Sequence, residues 1–139
     1  MPDQPPPQPP PRLGSLCTGY GGLDLAVETI LGARRAWVAD PAPGPSKILA
    51  HNWPDTPNLG DLHTIRWEAV PPVDILTAGF PCQPVSLAGP RRGVADERWL
   101  FDDILSGIQQ MQQRPRLLVF ENVRGLLRAS DGEAMRRVV

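Results

Sequence analysis

Cysteine and histidine are scarce in this chain of 139 residues, which has only Cys17 and Cys82, and His51 and His63. None of the four falls in a C-x-x-C or H-x-x-x-H pair, so the sequence predicts no zinc or other metal site. A Cys17–Cys82 disulfide is possible by count alone, but without an export signal free thiols are the expectation. No apolar run is long enough to cross a bilayer, so no transmembrane helix and no membrane partner are expected. The N-terminus lacks an apolar signal core, which points to a cytoplasmic protein. Excess charge is missing as well. The net charge is −1, so no overall basicity marks a nucleic-acid binder, although a neutral total leaves room for a local patch. Lysine is nearly absent, with arginine outnumbering it thirteen to one. Arg91, Arg92 and Arg98 form one group of arginines, and the last quarter of the chain holds another. A guanidinium suits bidentate phosphate contact, while solvated surface is the ordinary setting for any single arginine.

What the chain does have is enough apolar content for one packed domain, with 41% hydrophobic residues. Residues 1–11 hold seven of the 18 prolines and are expected to be a disordered or polyproline tail. From Arg12 onward, short β-like runs alternate with amphipathic helices, and no repeat is visible. This is the pattern of an α/β fold with a mostly parallel sheet flanked by helices. Strands are expected at Arg12–Leu16, Ala36–Ala39, weakly near Asn58–Leu59, at Val73–Ala78 and at Leu117–Phe120. Leu23, Ala26, Val27, Ile30 and Leu31 recur at helical spacing before Gly32, which is placed to end that helix. A short helix is expected from about Ser46 to Asn52, and another from Trp99 to Gln113 with Leu100, Ile104, Ile108 and Met111 on one face. A further helix should begin near Asp131. The stretch Leu87–Arg98, rich in glycine, proline and charge, reads as a long mobile loop.

Five features carry chemistry. The turn Gly19-x-Gly21-Gly22 joins a strand to a helix, where glycines admit close backbone approach and a helix start offers free N–H groups. A plain tight turn would look the same. Asp40 ends the next strand, twenty-one residues after Gly19, where a carboxylate can accept from ribose hydroxyls or cap a turn. Asp61 follows Gly60 and could accept from an exocyclic amine of adenine or simply close a turn. Cys82 follows an apolar strand inside Gly79-Phe80-Pro81-Cys82-Gln83-Pro84-Val85-Ser86, at the sheet edge where functional groups gather. Glu121 ends the run Leu117-Leu118-Val119-Phe120, thirty-nine residues after Cys82. The apolar strand before it predicts a partly desolvated carboxyl group with a raised pKa; a capping or Arg124-paired glutamate is the bland reading. A thiol and a carboxyl group at neighbouring strand ends suggest a nucleophile with an acid partner.

These residues together resemble the DNA (cytosine-5)-methyltransferase family over about residues 12 to 130. Leu16-Cys17-Thr18-Gly19-Tyr20-Gly21-Gly22 is similar to the family's first motif, Asp40 to its acidic ribose-binding residue and Gly60-Asp61-Leu62 to its adenine-side motif. Gly79-Phe80-Pro81-Cys82-Gln83-Pro84-x-Ser86, continued by Ala88-Gly89-x-Arg91-Arg92-Gly93, is similar to the catalytic Pro-Cys-Gln loop. Glu121-Asn122-Val123 matches the catalytic Glu-Asn-Val motif.

The resemblance implies a Rossmann-like methyltransferase fold, S-adenosylmethionine as cofactor and a cytosine of DNA as substrate, with Cys82 and Glu121 catalytic. It further implies cofactor contacts from Cys17, Gly19, Gly21, Gly22, Asp40, Asp61, Leu62 and Pro81, and substrate contacts from Gln83, Ser86, Arg91 and Arg92. Ser15 and Cys17 depart from the Asp and Phe frequent in that first motif. The family's Gln-Arg-Arg motif, target-recognition region and C-terminal helix are not found here. The expectation is therefore a partial catalytic domain over 12–139, truncated after about five strands, which would need a complementing C-terminal half. Restriction–modification, a phage and a regulatory role are the open settings. A non-catalytic cofactor-binding remnant and an RNA cytosine methyltransferase are the competing readings.

Overall fold

In the computed structural model, residues 8–81, 99–127 and 132–138 are described. Four strands form one sheet: β1 (Arg12–Leu16), β2 (Arg34–Ala39), β3 (Ile75–Ala78) and β4 (Leu117–Phe120). Their order across the sheet is β2-β1-β3-β4 and every pairing is parallel. Each crossover carries the chain back along the sheet, so all four strands end at the same edge, where ligands bind in open α/β sheets. The expected strand near Asn58–Leu59 is reduced to a single bridge between Val38 and Asn58. The Asn58 side chain is spent on Asp40 instead, taking its backbone N–H and donating to its carbonyl, both at 3.0 Å. The described sheet therefore has four strands rather than five.

The helices are α1 (Gly22–Leu31), α2 (Pro43–Asn52), α3 (Phe101–Gln110) and α4 (Glu133–Val138). Gly32 ends α1 with φ of 63°, a left-handed conformation that glycine adopts without steric cost. The prolines before Ser46 do not delay α2, which begins at Pro43. In a helix's first turn a missing N–H loses no intrahelical bond.

The sheet's two faces are covered unequally. On one side Trp37, Leu16, Leu76 and Ala78 pack with Phe101, Ile104, Ile108 and Met111 and with Trp67 of the preceding loop, forming the main core. Phe80 joins Trp99, Phe101 and Phe120 in an aromatic cluster with ring centroids 5.3–6.3 Å apart. On the other side Leu13, Ile75 and Val119 meet Val27 and Ala33. The buried residues of α1 are Asp24 and Val27, whereas Ile30 is 78% exposed and Leu31 and Ala26 are also exposed. The expected apolar stripe is thus not the buried face, and on the sheet side Glu28 is held by Arg35 of β2 through two hydrogen bonds of 2.9 and 3.0 Å.

Candidate functional site

The turn after β1 is built by its own backbone. Cys17 has φ of 49°, an unusual left-handed value for a residue with a side chain, and Gly19 and Gly21 follow at 55° and 82°. Gly21 N–H closes the turn on the Thr18 carbonyl at 3.0 Å, and the chain enters α1. Asp40, at the end of β2, locks this turn from the neighbouring strand. One carboxylate oxygen accepts from Gly19 N–H at 2.8 Å and the other from Ala42 N–H at 2.9 Å, just before α2. Asp40 is thus a buried cap for two loops. Each oxygen keeps a second acceptor direction.

Between these loops and the ends of β3 and β4 lies a cleft of about 370 Å³. Cys17 and Asp40 line one side, Gly79, Phe80 and Pro81 the floor, and Glu121, Asn122 and Val123 the other side. Burial, with help from Asp40 and Asp61, pushes the Cys17 thiol up to about 11. It is a neutral, soft surface at working pH rather than a nucleophile. A methyl group on Gly79 would lie 3.6 Å from Glu121 Oε2 and 3.9 Å from the Cys17 carbonyl. That glycine therefore sits where the first and last motifs converge.

Glu121 does not have the partly desolvated setting that its sequence context predicts; it is exposed. β4 is the edge strand of the described sheet, so its end has a described strand on one side only. Asn122 makes the connection that sequence reasoning missed. Its Nδ2 donates to the Phe80 carbonyl at 3.0 Å and its Oδ1 accepts from Val123 N–H at 2.9 Å. It ties the loop leading to Cys82 to the end of β4. The clue in the sequence was its place between Glu121 and Val123.

Asp61 and Leu62 do not line the cleft. Asp61 opens a 3₁₀ turn at Leu62–Thr64 and accepts from His63 N–H, and its carboxylate also meets the His63 ring, each at 2.9 Å. These contacts, the backbone one foremost, hold its pKa below the usual carboxylate range. Leu62 is buried in the main core. Gly22 stands at the start of α1, and a methyl group there would meet nothing within 4 Å. Cys82, Gln83, Ser86, Arg91, Arg92 and the expected loop Leu87–Arg98 lie outside the described residues. Among the described residues no group of three or more His, Cys, Asp or Glu gathers around a possible metal position, and no helix is long and apolar enough to cross a membrane.

Known proteins are similar to this chain in sequence and in fold. The DNA N-6-adenine-methyltransferase of Escherichia phage P1 is 36% identical over 130 residues, which cover 85% of this chain but 17% of that protein. The type II methyltransferase M.AquIA of Picosynechococcus is 30% identical over 138 residues, covering 92% of this chain and 54% of the relative. The chain thus spans from about a sixth to about half the length of these curated relatives. In fold it is similar to the crystal structure of the S. pombe Dnmt2 methyltransferase, with a TM-score of 0.69 at 24% identity over 92% of this chain and 41% of that one. The model of the C-5 cytosine-specific DNA methylase family matches residues 12–139, from the first strand through the cleft to the last helix, and this chain belongs to that family.

Proposed function

We propose that this chain is the cofactor-binding and catalytic portion of an enzyme that methylates C5 of cytosine in DNA. The observation that carries the reading is the convergence of the family's separate motifs on one cleft. The Gly19 turn, Asp40, the Gly79-Phe80-Pro81 segment that runs into Cys82, and Glu121 all meet there, although up to a hundred residues of sequence separate them. The cleft fits S-adenosylmethionine in its donor set. A buried carboxylate at Asp40 suits ribose hydroxyls, and the glycine turn leaves open space beside Gly19, where an added methyl would meet nothing within 4 Å.

When bound, S-adenosylmethionine supplies an electrophilic methyl group on a sulfonium sulfur. The Cys82 thiolate adds to C6 of a cytosine taken out of the DNA stack, forming a carbon–sulfur bond and moving the ring's electron pair toward C5 and N3. Glu121 gives a proton or hydrogen bond to N3, so negative charge does not accumulate on the ring. C5, now electron-rich, would be the atom to receive the methyl group, the cofactor's broken carbon–sulfur bond leaving a neutral thioether. Loss of the C5 proton to a base then expels the Cys82 thiolate and restores the double bond, and N3 returns any proton it took to Glu121, leaving 5-methylcytosine.

The rest of the enzyme, in the same or a second polypeptide, would carry the target-recognition region. Two observations favour such a partner. The chain covers 17% to 54% of the relatives described above. At β4, the edge strand of the described sheet, Leu117 and Leu118 are also 43% and 36% exposed, and exposed apolar side chains on an edge strand are a usual place for a partner.

The test is a covalent trap. The chain, alone and with a C-terminal half carrying a target-recognition region, is mixed with S-adenosylmethionine and DNA containing 5-fluorocytosine, which cannot lose its C5 substituent as a proton. A gel-stable adduct that disappears in Cys82→Ala is expected. Cofactor binding with no adduct in either mixture would favour the binding-only remnant. An adduct on RNA but not DNA would move the substrate. The adenine named in the phage P1 relative is tested with the same DNA by analysing its bases for N6-methyladenine.

A further inference from the structure

The edge of the sheet opposite the cleft carries a row of arginines. All four strands are parallel, so their first residues gather there as their last ones gather at the cleft. Arg34 of β2 is paired with Arg12 of β1, and the pairs Leu13–Ile75 and Ile75–Leu117 bring Asp74 and Arg116 into line one residue earlier. Backbone bonds extend the ladder to this level. Asp74 N–H donates to the Arg12 carbonyl and Arg116 N–H to the Asp74 carbonyl, each at 2.8 Å. Side chains alternate along a strand, so Arg34, Arg12, Asp74 and Arg116 share one face. With neighbouring strands about 4.8 Å apart, the three arginines span about 14 Å. All three are exposed, as is Arg114 just before the last of them.

Among the described residues nothing neutralises this row. Asp74, the carboxylate in its midst, is turned to the backbone, its Oδ2 accepting from Arg12 N–H at 2.8 Å. Glu28 is held by Arg35, which is paired with Leu13 and so lies on the other face. Glu68, in the turn before β3, makes no ion pair with the row, and no guanidinium of Arg12, Arg34, Arg114 or Arg116 has a described salt bridge or hydrogen bond. Like charges directly opposite each other on paired strands are destabilising, and Arg34 and Arg12 are such a pair. Solvated surface accounts for one arginine. Two opposed across a ladder with a third in line and no counter-charge carry a cost that the fold does not recover, as is expected where a surface serves a ligand. The missing partner is anionic, and planar guanidinium forks match phosphate oxygens two at a time.

We propose that Arg12, Arg34 and Arg116 hold the phosphate backbone of duplex DNA, in a sequence-independent contact separate from the cleft. DNA is the polyanion on which the chain's family acts. A span of about 14 Å matches about four base-pair steps of 3.4 Å, enough for each arginine to meet a phosphate. The row and the cleft lie at opposite sheet edges, so the row takes a different stretch of DNA from the one that offers a base. Phosphate contacts carry no sequence information; this one keeps the chain close to DNA between encounters with a target. It goes beyond the proposed function and does not depend on methyl transfer. The net charge of −1 conceals the patch, because opposite charges elsewhere cancel it in the total.

The experiment titrates the chain with a short duplex of A·T pairs only, which offers no cytosine, over a series of salt concentrations. In Arg12→Gln/Arg34→Gln/Arg116→Gln the slope of log affinity against log salt should become shallower by about 2 to 3, since each phosphate contact contributes roughly 0.9. Affinity at low salt should fall at least roughly tenfold. The variant Lys47→Gln/Arg66→Gln removes exposed cations outside the row and should change the slope by less than about 1. An equal loss per charge in both variants, or no loss in the first, overturns the proposal. So does binding of polyglutamate that the row variant loses while its DNA binding stays, which would assign the row to an acidic protein. A lower urea midpoint with unchanged DNA binding would make the arginines counter-charges for the helix ends and overturn it too. Should the triple variant not fold, the guanidinium Nε–H resonances of the natural chain decide. Those of Arg12, Arg34 and Arg116 should move on adding the duplex and return at high salt; resonances that stay in place end the proposal.

Discussion

Asn122 donates from Nδ2 to the carbonyl of Phe80 at 3.0 Å, and this one bond joins the segment before Cys82 to the strand end that carries Glu121. The two proposed catalytic groups are each within two residues of a partner in that bond. A side chain with no part in the proposed chemistry thus helps, beside the β3–β4 ladder, to hold the Phe80-Pro81 segment against the strand end that carries Glu121.

Replacing Asn122 by Ala should cost about 1 kcal/mol of stability, the worth of one partly buried hydrogen bond. It should slow formation of the 5-fluorocytosine adduct by at least roughly tenfold, because small misplacements of reacting groups are expensive. Urea melts and adduct time courses measure the two effects separately. A variant as fast as the natural protein would show that the bond does not position the site.

Asp40 is predicted to matter to the fold before any ligand binds. An amide at this position has one acceptor oxygen for the N–H groups of Gly19 and Ala42, which now have two. Asp40→Asn should lose about 1–3 kcal/mol and weaken cofactor binding as the Gly19 turn loosens. Chemical denaturation and calorimetry check this. Unchanged values in both would assign the carboxylate no structural or ligand role.

The Cys17 thiol, raised to about 11 by burial and the nearby carboxylates, should resist alkylation. At pH 7.5 roughly one molecule in three thousand would hold it as thiolate. Iodoacetamide rates on a Cys82→Ser background should rise steeply only toward pH 11. The sign for stability follows from linkage. The unfolded chain loses this proton near pH 9 and the folded chain near 11, so the unfolded state binds fewer protons between them and stability falls as pH rises through that window. Fast labelling at neutral pH would contradict the burial.

Two glycines far from the cleft should prove intolerant. A methyl group on Gly14 would stand 2.4 Å from the Trp37 ring, and one on Gly107 2.3 Å from the Trp67 ring. Each tryptophan is buried and has little room to yield. Either alanine variant should lose about 1–3 kcal/mol through overpacking, read from the denaturation midpoint. A neutral substitution would mean that the ring swings aside.

Much of this was legible locally. β1, β4 and the end of α1 at Gly32 lie where the apolar runs and the glycine place them, because period and turn chemistry act over a few residues. Helix starts were less legible, since α2 begins at Pro43, ahead of the expected start near Ser46, and proline is compatible with a helix's first turn. The site was legible as a set of motifs but not as a geometry. Asp61 and Leu62 stand side by side in the sequence, yet Asp61 closes an exposed turn and Leu62 enters the core.

The linear order of residues determined which chemical groups this protein possesses, its family, and the parallel sheet that gathers strand ends at one edge. Only the folded chain decided that Glu121 would stand in the open and Asp24 be enclosed. The reason is the sheet order. β4 has β3 on one side and no described strand on the other, while Asp24 lands on the seam between two central strands. Exposure depends on which neighbours arrive from distant sequence, and no local pattern encodes that.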